Sequence, residues 1–467
     1  METTAQGDTE TVKEVFASAH DLGMTVLRTW AFFDSPDSMN PAVIQQSPGV
    51  FNENALRALD YVIFQAKLHD MRLLLPLVNS WDDYGGMNQY VRWRITYPFA
   101  ETILSDTRYT SKDMVEIVTG QRGQAYKRAL TSSFGHDDFY NDPIIQSWFR
   151  NYISFVLHRV NSYTGVQYRD DPTILGWELA NEPRSSDRTT QLVFQWALEM
   201  SSFIKSLDQN HLVGTGEEGF DNSTVGFSQQ AYNNQSWLFD GSAGVSFSMN
   251  TAISSIDFAS IHLYPESWNL PNGTGNAWIR DHVRLAEASG KPLLIGEFGV
   301  RAYRSSTYDS WFATMLYDGA AGGVVWQLLG GSREDDEGFG IRCPKDGPVC
   351  STLSASAVQF RLKSQAGFIS PPPFFSLQQN YPNPFNGQTT IAYDLPSDSY
   401  VLLEIFSDLG QHVMTLLDEF QHAGRRKELL DVGSLASGVY FYRLTASTPT
   451  LTSSSRYSQT RKLLLVK

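Results

Sequence analysis

The sequence predicts an α/β protein in which a (β/α)8 barrel is followed by a small all-β sandwich. Strand-like and helix-like segments alternate from the start of the chain to about residue 365. The strand-like segments are almost wholly apolar, which is typical of a parallel sheet covered by helices on both faces. After residue 370 the pattern changes to short alternating β-runs separated by turn residues. A chain of 467 residues also exceeds one ordinary domain.

Seven apolar runs predict barrel strands, and amphipathic stretches between most of them predict helices. The predicted helices are residues 11–22, 54–69, 144–160, 191–207, 278–288 and 307–318. The predicted strands are residues 25–30, 71–78, 174–179, 212–214, 258–263, 293–297 and 323–328. Polar or aromatic side chains recur where these strands end, which is the active face of a (β/α)8 barrel. They are Arg28, Asn79, Asn181, Glu182, His262, Tyr264, Glu297 and Trp326.

The start of the sequence lacks two expected features. The chain begins in the helix that should follow a first strand, so the first barrel strand has no counterpart. Residues 1–6 also lack the basic start and apolar core of an export signal. We therefore expect a truncated or mis-started N-terminus. The alternative is that another segment replaces the first strand.

The last hundred residues have a different organisation. Three consecutive prolines at 371–373 predict a stiff, extended linker. Alternating runs at 390–395, 400–406, 425–430, 439–444 and 462–466 then predict a small sandwich. The expected domains are a barrel at 1–365, a linker at 366–374 and the sandwich at 375–467.

An irregular polar stretch between Trp93 and His136 follows a barrel strand and so lies over the active face. A long loop in this position is either a wall of a substrate cleft, which we favour, or a flexible insert.

Composition excludes several classes of function. A net charge of −14 argues against binding to nucleic acid or to anionic membranes. The sequence contains no run of about 18 apolar residues, which is the length needed to span a bilayer. The histidines and cysteines form no metal-ligand pattern, and we expect neither metal nor cofactor. Cys343 and Cys350 either close a small disulfide loop, as in an exported protein, or remain free thiols. We expect a monomer.

Glu182 and Glu297 each end an apolar run, and they are the predicted catalytic pair. Glycoside hydrolysis needs two carboxyl groups, one protonated for the leaving oxygen and one ionised to attack the sugar or activate water. A barrel delivers such groups from the carboxyl ends of its strands. Retaining enzymes hold them about 5–5.5 Å apart. The structural alternative is that each glutamate only pairs with an arginine.

Neighbouring side chains would complete this chemistry. Asn181 could bond the sugar 2-hydroxyl, a contact that strengthens at the transition state. Arg28 could hold the nucleophilic carboxylate ionised. His262 and Tyr264 are two residues apart on a strand and so point the same way. The histidine could tune the acid, the tyrosine could donate to the nucleophile, and Trp326 could form the floor of the reacting subsite.

Six ordered motifs carry a resemblance to a known family. They are residues 27–32 (LRTWAF), 77–86 (LVNSWDDYGG), 136–140 (HDDFY), 177–184 (WELANEPR), 262–268 (HLYPESW) and 296–299 (GEFG). Through them the first 360 or so residues resemble the family 5 glycoside hydrolases, in particular the endo-β-mannanases. The resemblance implies a retaining mechanism with Glu182 as acid/base and Glu297 as nucleophile.

The same resemblance implies a set of substrate-binding residues. Arg184 and Glu218 resemble positions that bind mannose outside the reacting subsite. Asn79 stands where many endoglucanases of the family carry histidine, and the WDDYGG loop also favours a mannanase. The full expected set is Arg28, Trp30, Asn79, Asn181, Arg184, Glu218, His262, Tyr264, Trp268 and Trp326.

The tail resembles the C-terminal sorting domain of type IX secretion cargo. Residues 377–386 (LQQNYPNPFN), 435–442 (LASGVYFY) and 461–467 (RKLLLVK) carry this resemblance. It implies a secreted or cell-surface protein that the type IX machinery recognises. A carbohydrate-binding module of similar size is the alternative, but a last strand at the very C-terminus favours the sorting domain.

The leading hypothesis is therefore a secreted, retaining endo-β-1,4-mannanase acting on mannan, galactomannan or glucomannan. One alternative is an endo-β-glucanase or cellulase-type enzyme of the same family. The other is an inactive sugar-binding barrel fragment, because a barrel that lacks a strand exposes two edges.

Overall fold

The computed structural model describes residues 2–96, 134–331, 333, 335, 337–366, 372–433, 435–448 and 456–467. Most of the polar stretch predicted as a cleft wall or insert, residues 97–133, lies outside the described residues. So does most of the predicted linker, residues 367–371.

The chain divides into two compact units. The first comprises Met1–Phe16, Val26–Ser223 and Trp237–Asp257, and the second comprises Ala17–Thr25, Thr224–Ser236 and Phe258–Lys467. Each unit contains a parallel sheet, and the second also contains the C-terminal sandwich.

A four-stranded parallel sheet in the order β1–β4–β5–β6 forms the centre of the first unit. Its strands are β1 Val26–Arg28, β4 Arg72–Pro76, β5 Ile174–Glu178 and β6 Leu212–Gly214. A small antiparallel pair, β2 Gln45–Ser47 and β3 Val50–Phe51, lies between β1 and β4 in the chain. Leu73, Leu74 and Leu75 of β4 are fully buried, as expected for a strand covered on both faces.

The helices follow or precede these strands with recognisable start signals. Helix α3 begins after Asn52, whose side chain accepts a hydrogen bond from the backbone of Asn54. Helix α6 begins after Asp142, which caps two backbone N–H groups, and Pro143 occupies its first turn. The helices here are α1 Glu2–Ala5, α2 Glu10–Asp21, α3 Glu53–Leu68, α4 Gly86–Thr96, α5 Asp138–Asn141, α6 Pro143–His158, α7 Gln191–Leu207 and α8 Phe247–Thr251.

The second unit begins with a parallel sheet in the order β7–β8–β9. Its strands are β7 Ala259–Leu263, β8 Leu293–Phe298 and β9 Gly322–Val325, with helices α9 Thr274–Ala288, α10 Arg304–Asp318 and α11 Gly347–Ala366. All seven predicted barrel strands are therefore found, within three residues of their predicted ends. The alternation and parallel pairing confirm the (β/α)8 class. Trp326 lies one residue beyond β9.

The C-terminal part of the second unit is two antiparallel sheets, as predicted. One has the order β10–β11–β14, with β10 Ser376–Leu377, β11 Gln388–Leu395 and β14 Gly424–Asp431. The other has the order β13–β12–β15–β16, with β12 Ser399–Ser407, β13 His412–Gln421, β15 Gly438–Ser447 and β16 Arg456–Leu465. Their inward residues form one apolar core that includes Ile391, Leu403, Ile405, Leu444 and Leu463. The sequence pattern did not predict β13, because only Leu417 and Gln421 of that edge strand are buried.

The sandwich packs on helices α9 and α10 through buried ion pairs. Arg280 of α9 pairs with Glu419 of β13 and, at 3.0 Å, with Glu428 of β14. None of these three side chains is more than 10% exposed. Arg426 of β14 pairs with Asp318 of α10 at 2.7 Å, and this pair is also buried.

Further hydrogen bonds and a third ion-pair site reinforce the same interface. Asn276 Nδ2 donates to Glu428 Oε2 at 3.0 Å and to the backbone oxygen of Lys427 at 3.1 Å. Ser310 Oγ donates to that backbone oxygen at 2.7 Å. The Lys427 amine reaches Asp309 of α10 at 2.6 Å. The sandwich is thus fixed to the helices by specific polar contacts that need exact side-chain placement.

Cys343 and Cys350 form a disulfide, so the first of the two alternatives for these residues is correct. Within the described ranges, no helix combines the length and apolarity needed to cross a membrane.

We predict that Arg280→Ala will strongly destabilise the second unit. The change leaves two buried carboxylates without their shared cation, and breaking a buried ion pair in this way costs about 3–5 kcal/mol. Differential scanning calorimetry will measure the lowered Tm. Arg425→Ala is the control on strand β14 of the same interface, because the Arg425 side chain is exposed and surface substitutions usually change stability by less than about 0.5 kcal/mol. Equal losses in the two variants would contradict the interface described here.

Candidate active site

The carboxyl ends of the first unit's strands are joined by a polar network centred on Arg28. Its Nε donates to Glu178 Oε2, at the end of β5, over 2.6 Å, and its Nη2 donates to Asn181 Oδ1 at 3.0 Å. Asn181 Nδ2 in turn donates to Asn79 Oδ1 at 3.1 Å. The Trp30 ring centre lies 5.2 Å from the guanidinium carbon of Arg28. Four predicted site residues are therefore brought together around one ion pair.

Glu182 is half-buried and has a left-handed backbone conformation, with φ of 50°. This conformation is unfavourable for a residue other than glycine and persists only where the surroundings impose it. The Glu182 backbone N–H donates to the carbonyl of Gly216 at 2.8 Å. Its carboxylate oxygen Oε2 accepts a hydrogen bond from Trp81 Nε1 at 2.6 Å. Glu182 is thus fixed by one hydrogen bond at its backbone and by another at its carboxylate.

Arg184 and Glu218, both predicted to bind sugar, form a two-bond ion pair. Arg184 Nε and Nη2 donate to the two Glu218 oxygens at 2.5 and 2.6 Å. The guanidinium carbon lies 5.1 Å from the Trp81 ring centre and 4.8 Å from that of Phe220. Burial opposes the charge of Arg184, but Glu218 and, at longer range, Glu182 together raise its pKa.

In the second unit, the carboxylate of Glu297 contacts Tyr264 and His262, two other predicted site residues. Glu297 lies in β8 and is 6% exposed. The Tyr264 hydroxyl donates to its Oε2 at 2.8 Å, and His262 Nδ1 lies 3.7 Å from the same oxygen. Hydrogen bonds to a carboxylate favour its ionised form. His262 is fully buried, so its ring is fixed beside Glu297.

The two remaining predicted residues of this unit are both held by neighbours. Trp268 is 7% exposed and packs on Trp278, with ring centres 5.0 Å apart. Trp326 Nε1 donates to Glu337 Oε2 at 2.7 Å. The substrate-binding roles of Trp268 and Trp326 stay predictions.

Comparison with known proteins decides the family. Residues 2–337, most of the chain, match the family described as GH family 5 beta-mannosidase-like. The chain belongs to this glycoside hydrolase family. This agrees with the resemblance that its strand-end motifs carry.

Relatives within family 5 cover most of the chain. Mannan endo-1,4-beta-mannosidase 4 of Solanum lycopersicum is 37% identical over 352 residues, which are 71% of this chain and 77% of the relative. Mannan endo-1,4-beta-mannosidase 2 of Oryza sativa subsp. japonica is 36% identical over 364 residues, 73% of this chain and 74% of the relative. The X-ray structure of the endo-beta-1,4-mannanase from Thermotoga petrophila is similar with a TM-score of 0.66 and 28% identity, covering 97% of this chain and 94% of that one.

The tail of this family 5 protein is a sorting domain, as predicted. Residues 379–455 match the family described as secretion system C-terminal sorting domain. The protein is therefore directed to the cell surface or outside the cell.

Sequence reasoning missed two residues that contact the predicted site residues directly. Glu178 and Trp81 both lie inside motifs that carried the resemblance, but neither was assigned a role. Glu178 ends an apolar strand shortly before Asn181 and Glu182. A charged residue at such a buried position indicates that a cationic side chain is buried beside it. Trp81 had no comparable signal, because nothing in the sequence shows that its ring nitrogen faces Glu182.

Glu217, which precedes Glu218 in the chain, should make stability depend on pH. Glu217 is buried, and burial raises its pKa to about 8 although Thr215 and Asn250 donate hydrogen bonds to it. Between about pH 4.5 and 8 the folded chain then holds a proton that the unfolded chain has released. The free energy of unfolding should therefore fall as the pH rises through this window.

We predict that Glu217→Gln, which mimics the protonated form, will gain in Tm relative to the unmodified protein as the pH rises from 5 to 8. Thermal unfolding at several pH values will measure this difference. Glu199→Gln serves as the control, because Glu199 is about half exposed and pairs with Arg150 at the surface. Parallel Tm curves for Glu217→Gln and the unmodified protein would show that Glu217 is ionised in the fold.

Proposed function

We propose that the protein is a secreted, retaining endo-β-1,4-mannanase in which Glu297 is the nucleophile and Glu182 the acid/base. The observation that carries the assignment is the environment of Glu297, a buried carboxylate that accepts a hydrogen bond from Tyr264. A nucleophilic carboxylate must stay ionised, and this hydrogen bond favours that form. Glu182, which is more exposed and lies at another strand end, is left for proton transfer.

In the first step Glu297 attacks the anomeric carbon of the sugar. The bond from that carbon to the glycosidic oxygen breaks, and the leaving oxygen takes the proton of Glu182. The products are a mannosyl ester of Glu297, a free sugar alcohol and an ionised Glu182. Asn181, fixed by Arg28, is placed to bond the 2-hydroxyl of the reacting sugar.

In the second step Glu182 acts as the base. It takes a proton from a water molecule whose oxygen attacks the anomeric carbon, and the ester bond to Glu297 breaks. Two inversions give net retention, and both carboxyl groups return to their starting protonation states.

The choice of mannan as substrate rests on the relatives, which are named mannan endo-1,4-β-mannosidases. Arg184 and Glu218 support it as a rigid polar pair beside the acid/base. The pair can bond hydroxyls of a sugar next to the reacting one.

The substrate class can be measured directly. We expect release of reducing ends from locust-bean galactomannan and from unbranched mannan, with carboxymethylcellulose cleaved at least about 100-fold more slowly, because sites built to bond particular hydroxyls discriminate strongly. A protein that cuts carboxymethylcellulose and leaves mannan intact would be a glucanase of the same family.

The catalytic assignment predicts opposite behaviour for two variants. Glu182→Ala should lower kcat on mannan by about 10²–10⁴-fold, the usual contribution of acid–base catalysis. Added azide should restore turnover of an activated aryl β-mannobioside, because a small anion needs no base, and the product should be the β-mannobiosyl azide. Glu297→Ala should lose turnover of mannan, while calorimetric titration still detects mannooligosaccharide binding. With azide and the activated aryl β-mannobioside, this variant should instead give the α-mannobiosyl azide, because azide takes the place of the missing nucleophile and a single displacement inverts the anomeric carbon. Formation of no azide adduct, or of the α-anomer, from Glu182→Ala would contradict the assignment.

A further inference from the structure

Trp81 lies in the loop after β4 and makes two contacts that together fix its orientation. Its Nε1 donates to Glu182 Oε2 at 2.6 Å, and its ring lies 5.1 Å from the Arg184 guanidinium carbon. Arg184 is itself held by two hydrogen bonds to Glu218. The ring is thus supported on its face and bonded at its edge, although 42% of the residue is exposed.

The chemistry of the indole makes this contact directional. An indole N–H can donate a hydrogen bond and cannot accept one. In a protonated carboxyl group, the carbonyl-type oxygen is the better acceptor and the other oxygen carries the proton. A hydrogen bond from Trp81 to Oε2 therefore favours the state in which the proton of Glu182 resides on Oε1.

We propose that Trp81 is a positioning residue that keeps Oε2 of Glu182 as an acceptor and so assigns the transferable proton to Oε1. This inference rests on the proposed role of Glu182 as acid/base. When Glu182 protonates the leaving oxygen, the proton departs from Oε1 while the bond from Trp81 to Oε2 persists. The same bond stabilises the carboxylate that forms, and it keeps Oε1 available for the proton that returns from water.

The backbone conformation of Glu182 makes the hydrogen bond from Trp81 necessary to fix the carboxylate. A side chain that starts from a left-handed residue is not fixed by a regular strand, because the chain has already left β5. The hydrogen bond of Trp81 fixes the far end of the side chain, and Arg184, two residues later in the chain, fixes Trp81 in turn. Acid catalysis depends on such placement, since small displacements of a catalytic group lower the rate strongly.

The test uses the dependence of the rate on the leaving group. Phenyl β-mannobioside and 2,4-dinitrophenyl β-mannobioside place the same ring in the same position, but only the phenyl compound needs a proton to leave. Trp81→Phe removes the N–H and keeps an aromatic ring beneath Arg184. We expect kcat/KM for the phenyl compound to fall about tenfold, as for loss of a hydrogen bond to a charged group. For the dinitrophenyl compound we expect a change of less than about twofold, because its leaving group needs no acid.

Two further variants keep the result interpretable. Trp81→Ala must show at least the same selective loss, because it also lacks the N–H. Trp93→Phe is the matched control, since Trp93 is a buried tryptophan whose Nε1 has no hydrogen-bond partner among the described residues. It should leave the ratio of the two rates unchanged.

The outcomes separate this inference from the proposed function. An equal loss on both substrates in Trp81→Phe, or no loss on either, overturns the positioning role. A selective loss in Trp81→Ala that is absent from Trp81→Phe assigns the effect to the ring and also overturns it. Failure of azide to rescue Glu182→Ala would instead overturn the role of Glu182 itself, whatever the Trp81 variants show.

Discussion

The ion pair between Arg28 and Glu178 is the constraint on which the candidate site residues of the first unit depend. Neither side chain is more than 3% exposed, so each charge would be strongly unfavourable without the other. The pair spans the sheet from β1 to β5, across the intervening β4. Because Arg28 also bonds Asn181, and Asn181 bonds Asn79, one buried charge fixes the amide groups that follow two strands, β5 and β4.

Glu182 and Glu297 differ in how they are held, and the difference matches the roles proposed for them. Glu297 lies inside strand β8 and is buried against a tyrosine and a histidine, which suits a group that keeps one charge state until it forms a covalent bond. Glu182 follows a strand, has a strained backbone and is half-buried. Such a position suits a group that must exchange a proton with both a departing alcohol and an arriving water.

Much of the architecture could be predicted because hydrophobic periodicity reports burial. The seven strands, most helices and the sandwich followed from that pattern, and most of the candidate site residues followed from their positions at strand ends. Features that depend on long-range geometry could not be predicted. The sequence contained no sign of the bond from Arg28 to Glu178, at the end of another strand, and the proposed effect of Arg28 on the nucleophile stays a prediction. Trp81 and the polar interface of the sandwich are similar cases, because no local pattern shows which distant side chain a polar atom will meet. The choice between a disulfide and two thiols likewise needed the fold.

The way the sorting domain is attached has a consequence for its removal. Arg280, Asn276 and Asp318 belong to barrel helices, yet they are satisfied by side chains or backbone of the sandwich. A protease that cuts the chain near residue 370 would break the covalent connection and leave these contacts intact. Cleavage of the chain and release of the sandwich would then be separate events. Release would require the buried charges on the barrel helices and on the sandwich to be hydrated again. An enzyme nicked at this position would keep its tail until some other process pulled the two pieces apart.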